Sequence, residues 1–296
     1  MSEPIVVFDG VSKRFGSYPA LDRVSLAVRR GEMLIVAGHN GAGKSTLLAL
    51  AVGLLRPSRG DVRVRGVSVR RHPARARRAV GTMLAAAFHE HLSGRDNLSL
   101  LASYSGGVPG TDVDAIVALV GLVDRIDDRV RTYSYGMRAR LALAQALLPM
   151  PDVLLLDEPE EGLDSDATRD LRSTIRRINR ERGVTVVLAS HRLDGEDQAY
   201  DRLALLERGR LAFLGGWDDV DARPTIRLEL DDWEKARPVL ERAGASIVAE
   251  GVIRLDGNDA ATVVAALVHA GVCVHAAEPS RRTAAELCAR ARGLHT

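Results

Sequence analysis

The apolar positions fall into recognisable patterns. Met33–Ala37, Val153–Leu156 and the run "VTVVLAS" at 184–190 are short and continuously apolar, as strands buried on both faces of a parallel sheet are. Helical spacing marks two other stretches. Met137, Leu141, Ala144 and Leu148 share one stripe, ended by Pro149 and Pro151. Ala167, Leu171, Ile175 and Ile178 share another, with Gly183 beyond its end. After residue 220 the pattern resets. Thr225–Leu230 alternates like a half-buried strand, and a helical stretch follows in which Pro238 is expected to produce a kink or a shifted start. Ser246–Glu250 and Val252–Asp256 read as a hairpin turning near Gly251. A helix over 259–270, a strand over Val272–Ala276 and a last helix over 280–292 complete the chain. The order β-α-β-β-α-β suggests a small ferredoxin-like α+β domain at 221–296, after a larger α/β domain at 1–220.

Composition narrows the classes. The 296 residues are 46% hydrophobic, enough for a folded core, and no apolar run approaches the roughly 18 residues a membrane span needs. "MSEPIVVFDG" has an acid and no basic stretch, so no secretory signal is expected. Cys273 and Cys288 show no pairing pattern, which fits a reduced, cytosolic protein. A net charge of +2 does not point to nucleic acid. Residues 56–78 do hold nine arginines and one acid, Asp61. Without interleaved aromatics for base stacking, a solvated strand-and-turn region is the favoured reading.

One of only three lysines lies in a glycine-rich loop. Gly38-His39-Asn40-Gly41-Ala42-Gly43-Lys44-Ser45, followed by Thr46, fits G-x-x-x-x-G-K-[ST] between an apolar strand and a helix. Its glycines let backbone N–H groups curl round phosphate oxygens, and the helix N-terminus adds partial positive charge. Lys44 suits the β- and γ-phosphates, and Ser45 suits Mg2+. This loop predicts binding of a nucleoside triphosphate.

The strand at Val153–Leu156 ends in Asp157-Glu158 and is stopped by Pro159. Ligands of open α/β sheets gather at carboxyl strand ends, so Asp157 is expected to reach Mg2+ through water. Glu158 is placed to polarise a water for attack on the γ-phosphate. His191 follows Ser190 at the end of another buried strand, where a structural and a functional role are equally open. Ser134 and Gly136 introduce the helix after "RTYSYGM". Sequence physics alone favours an ordinary N-cap serine there, with an anion-binding turn as the alternative.

In this order the pieces resemble the nucleotide-binding subunit of an ATP-binding cassette (ABC) transporter, over roughly residues 5–220. "GHNGAGKS" resembles the Walker A loop and "VLLLDE" the Walker B strand with its glutamate. "YSYGM" sits where the signature belongs, and its form is similar to that of exporter subunits. "EEGLD" resembles the D-loop and places Asp164; "ASH" places His191 as the switch histidine. The segment "VSKRFGSYPALDRVSL" matches the region whose aromatic residue stacks on adenine, here Phe15, with Tyr18 as the alternative.

The resemblance implies an α/β P-loop NTPase cassette with a helical subdomain at about 86–150, hydrolysing ATP with Mg2+. It also implies a dimer in which Ser134 and Gly136 of each copy cap the γ-phosphate held by the other. The partners implied are a second cassette, identical or not, and a membrane permease at the inner face of the cell membrane. No nucleic acid is implied, because non-transport members usually carry two cassettes or a long coiled-coil insertion. The C-terminal domain resembles the appendage of bacterial drug-exporter ATPases.

"GTMLAAAFHEHLSG" at 81–94 invites a metal reading of His89, Glu90 and His91. Adjacent ligands without distant partners rarely complete a tetrahedral site. By resemblance the stretch is the Q-loop, with Ala85 near the position of the usual glutamine. An alanine there implies altered hydrolysis or coupling.

Overall fold

The computed structural model describes residues 3–84, 87–104, 112–191, 193, 200–216, 225–249, 251–255 and 258–279. The chain divides into two compact units, Met1–Ser190 with Tyr200–Leu214, and His191–Ala199 with Gly215–Thr296.

The first unit opens with two long strands, β1 (Pro4–Phe15) and β2 (Tyr18–Arg29), paired antiparallel. β3 (Met33–Ala37) follows, buried along its whole length, then helix α1 (Lys44–Val52). Next come β4 (Arg59–Val64), β5 (Val67–Ser68) and the short helix α2 (Pro73–Arg77). The arginine-rich stretch is thus a strand-and-turn region, and β2-β1-β4-β5 form one four-stranded sheet. Two of its arginines meet acids, Arg65 with Asp152 at 2.8 Å and Arg63 with Asp61 at 3.6 Å.

β6 (Val80–Met83) leads into the helical region, formed by α3 (Gly94–Tyr104), α4 (Val113–Leu119), two single 3-10 turns and α5 (Tyr135–Leu147). Alternation of strand and helix then resumes: β7 (Val153–Asp157), α6 (Ser165–Arg182), β8 (Thr185–Ser190), β9 (Arg202–Glu207) and β10 (Arg210–Gly215). These strands form a six-stranded sheet in the order β10-β9-β3-β8-β7-β6, in which β9, β3, β8, β7 and β6 run parallel. The apolar runs of β3, β7 and β8 occupy its centre, where both faces are covered. Leu47, Leu48 and Leu50 of α1 lie in one hydrophobic cluster with residues of both sheets.

α5 is buried more widely than the single stripe its spacing suggests. Ala139, Ala142, Leu143, Ala146 and Leu147 are also inside, whereas Met137 is half-buried. Small alanines let neighbouring elements approach from several sides, so burial spreads beyond one face. On α6 the buried residues are Leu171, Arg172, Ile175 and Ile178, with Ala167 half-buried and Gly183 closing the helix at φ 64°.

The second unit contains β11 (Thr225–Leu230), α7 (Trp233–Arg242), β12 (Ala245–Ala249), β13 (Val252–Leu255), α8 (Ala260–His269) and β14 (Val274–Pro279). The antiparallel order β12-β13-β11-β14 is the ferredoxin-like arrangement. Two details differ from the sequence reading. α7 runs through Pro238 from an Asp232 cap, with no shifted start. The proline removes one intrahelical bond, while Ala236, Val239 and Leu240 stay packed in the core. The final strand begins two residues later than expected, because Cys273 N–H is drawn to the Asp231 carboxylate at 2.9 Å instead of a strand partner. The helix expected over 280–292 lies outside the described residues.

Candidate functional site

The carboxyl ends of β3, β7 and β8 are neighbours. The strand register sets Ala37 beside Ser190 and Asp157 beside Ala189. The chain leaving β3 there forms the loop Gly38–Gly43. Gly43 has φ 106°, and a Cβ on it would stand 2.7 Å from the Ala20 carbonyl oxygen, so glycine is required on both counts. α1 then starts at Lys44 with no side chain capping its N-terminus. The first N–H groups of a helix have no intrahelical acceptor, so this end presents free donors and partial positive charge to an anion.

Lys44 does not extend into solvent. It is 5% exposed, and its ammonium donates to the carbonyls of Gly38 at 2.7 Å and His39 at 3.3 Å. It also pairs with Glu158 Oε1 at 3.2 Å. Ser45 opens the same helix and is exposed, with Thr46 half-buried behind it; Asn40 and Gly41 lie exposed on the loop.

Asp157 ends β7. Burial pushes its carboxyl above the usual range, and the neighbouring Glu158 charge adds to this; a hydrogen bond from Ser45 and the charge of Lys44 oppose it. One oxygen, Oδ1, is buried without a hydrogen-bond partner. An orphaned buried carboxylate oxygen beside a serine hydroxyl has the chemistry of a hard divalent cation site. The residues therefore fit Mg2+, with Ser45 and Asp157 as the groups that would hold it.

Glu158 adopts φ 47°, uncommon for a residue with a side chain, and such strain costs about 1–3 kcal/mol where it occurs. Its N–H donates to Ala189 of β8 at 3.0 Å, and its carbonyl accepts from Glu161 N–H at 3.0 Å. The bend thus falls on the residue whose carboxylate meets Lys44.

The remaining candidates occupy distinct places. Ser134 caps α5, accepting from Met137 N–H at 3.2 Å, and a Cβ on Gly136 would stand 3.3 Å from the Ala167 side chain of α6. Asp164 caps α6, accepting from Ala167 N–H at 2.8 Å. Both therefore have a structural role whatever else they do, and both stay exposed. Phe15, 47% exposed, faces Tyr18 across the β1–β2 hairpin with the Lys13 ammonium 4.9 Å from its ring centroid. Ala20, just beyond that hairpin, is the residue that abuts Gly43. His191 leaves β8 directly after Ser190 and belongs to the second compact unit.

The stretch at 81–94 does not gather metal ligands. Glu90 is engaged by Arg138 at 2.7 Å, and the His89 backbone is pinned by the Asn97 side chain through bonds of 2.8 and 3.1 Å. Among the described residues no group of three or more His, Cys, Asp or Glu could hold a metal ion. Ala85 lies outside the described residues.

Comparison with known proteins decides the family. The ABC transporter family model matches residues 21–161. An uncharacterized ABC transporter ATP-binding protein of Bacillus subtilis (strain 168), YhcH, is 36% identical over 268 residues, covering 89% of this chain and 88% of that one. This chain is an ABC transporter ATP-binding protein.

Other ABC relatives differ in what they are named for. The bacitracin transport ATP-binding protein BcrA of Bacillus licheniformis is 30% identical, covering 80% of this chain and 79% of its own. The methionine import ATP-binding protein MetN 2 of Paraburkholderia xenovorans (strain LB400) is 35% identical, covering 88% and 74%. A dimeric ATP-binding cassette solved in a post-hydrolysis state with ADP and Pi aligns at a TM-score of 0.60 and 25% identity. It covers 71% of this chain and 98% of that one. The ABC chain is accordingly an ATPase of the P-loop class. Among its described residues no helix is long and apolar enough to cross a membrane.

The sequence reading missed one buried ion pair close in the chain to Glu158. Arg172, 3% exposed on α6, forms a two-pronged pair with Glu160 at 2.7 Å for each bond. A signal was present, since Arg172 stands beside Leu171 and three residues before Ile175 on an otherwise apolar stripe.

Proposed function

We propose that this ABC ATPase hydrolyses MgATP to drive a separate membrane permease, as an exporter subunit held at the inner face of the cell membrane. The convergence of Lys44, Ser45, Asp157 and Glu158 at one sheet edge carries this reading. In it, the N–H groups of Gly41–Thr46 receive the phosphates, and Lys44 exchanges Glu158 for phosphate oxygen. Phe15 stacks on adenine from the hairpin next to Gly43. Ser45 and Asp157 hold Mg2+, which when bound neutralises charge on the β- and γ-phosphates. Glu158, released from Lys44, orients water in line with the γ-phosphate and takes up its proton. His191 steadies the γ-phosphate from the end of β8.

Two cassettes close head to tail, each offering Ser134 and Gly136 to the γ-phosphate on the other, with Asp164 at the junction. Residues 1–220 form the cassette and 221–296 an accessory domain. Loss of the γ-phosphate opens the pair, and this two-state clamp moves the permease. The exporter direction is supported by the "YSYGM" form of the signature.

Purified chain should hydrolyse MgATP, and Lys44→Ala should abolish turnover. Glu158→Gln should turn over slowly and accumulate an ATP-bound dimer in gel filtration. Equal rates in all three proteins would sink the assignment; a monomeric ATP-loaded Glu158→Gln would sink the clamp. A second reading, a weakly hydrolysing subunit paired with a better cassette, is favoured by the alanine at 85. Ala85→Gln raising the ATPase rate would support that reading, and an unchanged rate would oppose it.

A further inference from the structure

We propose that Glu160 and Arg172 are positioning residues for Glu158, a reading that rests on the assignment of Glu158 as the group that activates water. Residues 158–164 form a strap between β7 and α6 whose ends are fixed. Glu158 N–H is bound to Ala189 at 3.0 Å, and Asp164 caps α6 through Ala167 N–H at 2.8 Å. The middle is tied by side chains. Arg172 Nε donates to Glu160 Oε1, and its Nη2 to Oε2, each at 2.7 Å. A planar fork on a planar carboxylate fixes orientation as well as distance. The anchor is firm, because Leu171, Ile175 and Ile178 hold α6 in the core at 0–1% exposure.

Only Pro159 separates Glu160 from Glu158, and its ring fixes φ. Hydrogen bonds from Glu161 N–H to Glu158 O at 3.0 Å and from Leu163 N–H to Glu160 O at 3.1 Å close the turn. Few free dihedrals remain between the clamped carboxylate and the left-handed bend at Glu158. A strained conformation persists only where its surroundings over-determine it. The Glu160–Arg172 pair is one of those constraints.

Stability alone is a weak reason for such a pair. Apolar replacement of a buried ion pair is often neutral or stabilising, whereas removal of one partner is strongly destabilising. This contrast defines the test, made on the full-length chain. Arg172→Lys keeps the charge and loses the fork. The double substitution Glu160→Leu with Arg172→Met removes both charges and guards against simple misfolding. MgATP turnover, KM for ATP and the thermal midpoint are measured for each.

Arg172→Lys should lower kcat by about tenfold or more, since misplacing a reacting group is costly. KM for ATP should stay within about twofold, because binding is not what the pair controls. The double variant should melt near or above the wild type and still turn over slowly. A double variant with wild-type kcat would overturn the proposal, and so would a rise in KM at unchanged kcat. Glu158→Gln is run alongside. Wild-type turnover there would remove the assignment of Glu158 itself. An inactive Glu158→Gln beside fully active pair variants would overturn only the positioning role.

Discussion

Glu158→Gln should tighten ADP binding about fivefold, an effect separate from its loss of hydrolysis. The Lys44 ammonium is shared among Gly38 O, His39 O and Glu158 Oε1, the last at 3.2 Å. A β-phosphate that takes this ammonium must displace the carboxylate. Glutamine keeps the side-chain length and still accepts a hydrogen bond, so the substitution removes the charge alone. The Lys44 ammonium keeps its charge, so its hydrogen bond stays charge-assisted in the variant and only the ion-pair attraction is lost. With the Glu158 side chain 20% exposed, solvent screening holds that attraction to about 1 kcal/mol. That corresponds to about fivefold in Kd. Loss of repulsion between the carboxylate and the incoming phosphate acts in the same direction. ADP is the informative ligand because neither hydrolysis nor closure on a γ-phosphate contributes. Calorimetric titration of wild type and Glu158→Gln with ADP at fixed ionic strength measures the gap. Equal or weaker binding by the variant would refute the idea that Glu158 competes for Lys44.

Gly43→Ala places a Cβ 2.7 Å from Ala20 O at φ 106°. It should lower the thermal midpoint and weaken ATP binding by about tenfold or more, the strain alone being about 1–3 kcal/mol. Unchanged nucleotide affinity would mean that the loop tolerates a different path. Asp157→Asn replaces a carboxylate that burial disfavours, so the nucleotide-free chain should melt no lower than wild type while Mg2+-dependent turnover is lost. The Thr262 N–H, at 2.7 Å, holds the Asp259 carboxyl below its ordinary range at the start of α8. Its folded state therefore releases the proton more readily than the unfolded chain. The stabilisation is present above the ordinary carboxyl range, about pH 4, and is lost as pH falls through the lowered value. Thermal melts of Asp259→Asn, which keeps a capping acceptor, should lack this acid-side contribution.

Elements whose cause is local were legible without coordinates. Continuous apolar runs fix β3, β7 and β8 as interior strands because only a sheet covered on both faces buries them. The glycine-rich loop is encoded in residues 38–45, since its glycines, lysine and serine act at short range. The ferredoxin-like order of the second unit also followed from patterning, and the structure gives the matching strand order. Errors fell where one local rule was outweighed. Pro238 sits inside α7 because packing by Ala236, Val239 and Leu240 outweighs one missing hydrogen bond. The start of β14 is set by a hydrogen bond from Cys273 to Asp231, 42 residues away in sequence.

By itself, then, the sequence determined the class of the cassette, the glycine-rich loop that follows β3 and the acids at the end of β7. Only the tertiary structure decided how those groups engage one another. Lys44 and Glu158 are 114 positions apart and become an ion pair because parallel strands bring their ends together. Asp157 Oδ1 is orphaned because burial removes water that no sequence pattern records. Arg172 reads as one arginine among 38 until folding places its guanidinium on Glu160, beside the strained residue it would hold. Charge interactions depend on distance and on access to solvent, and both are properties of the folded chain.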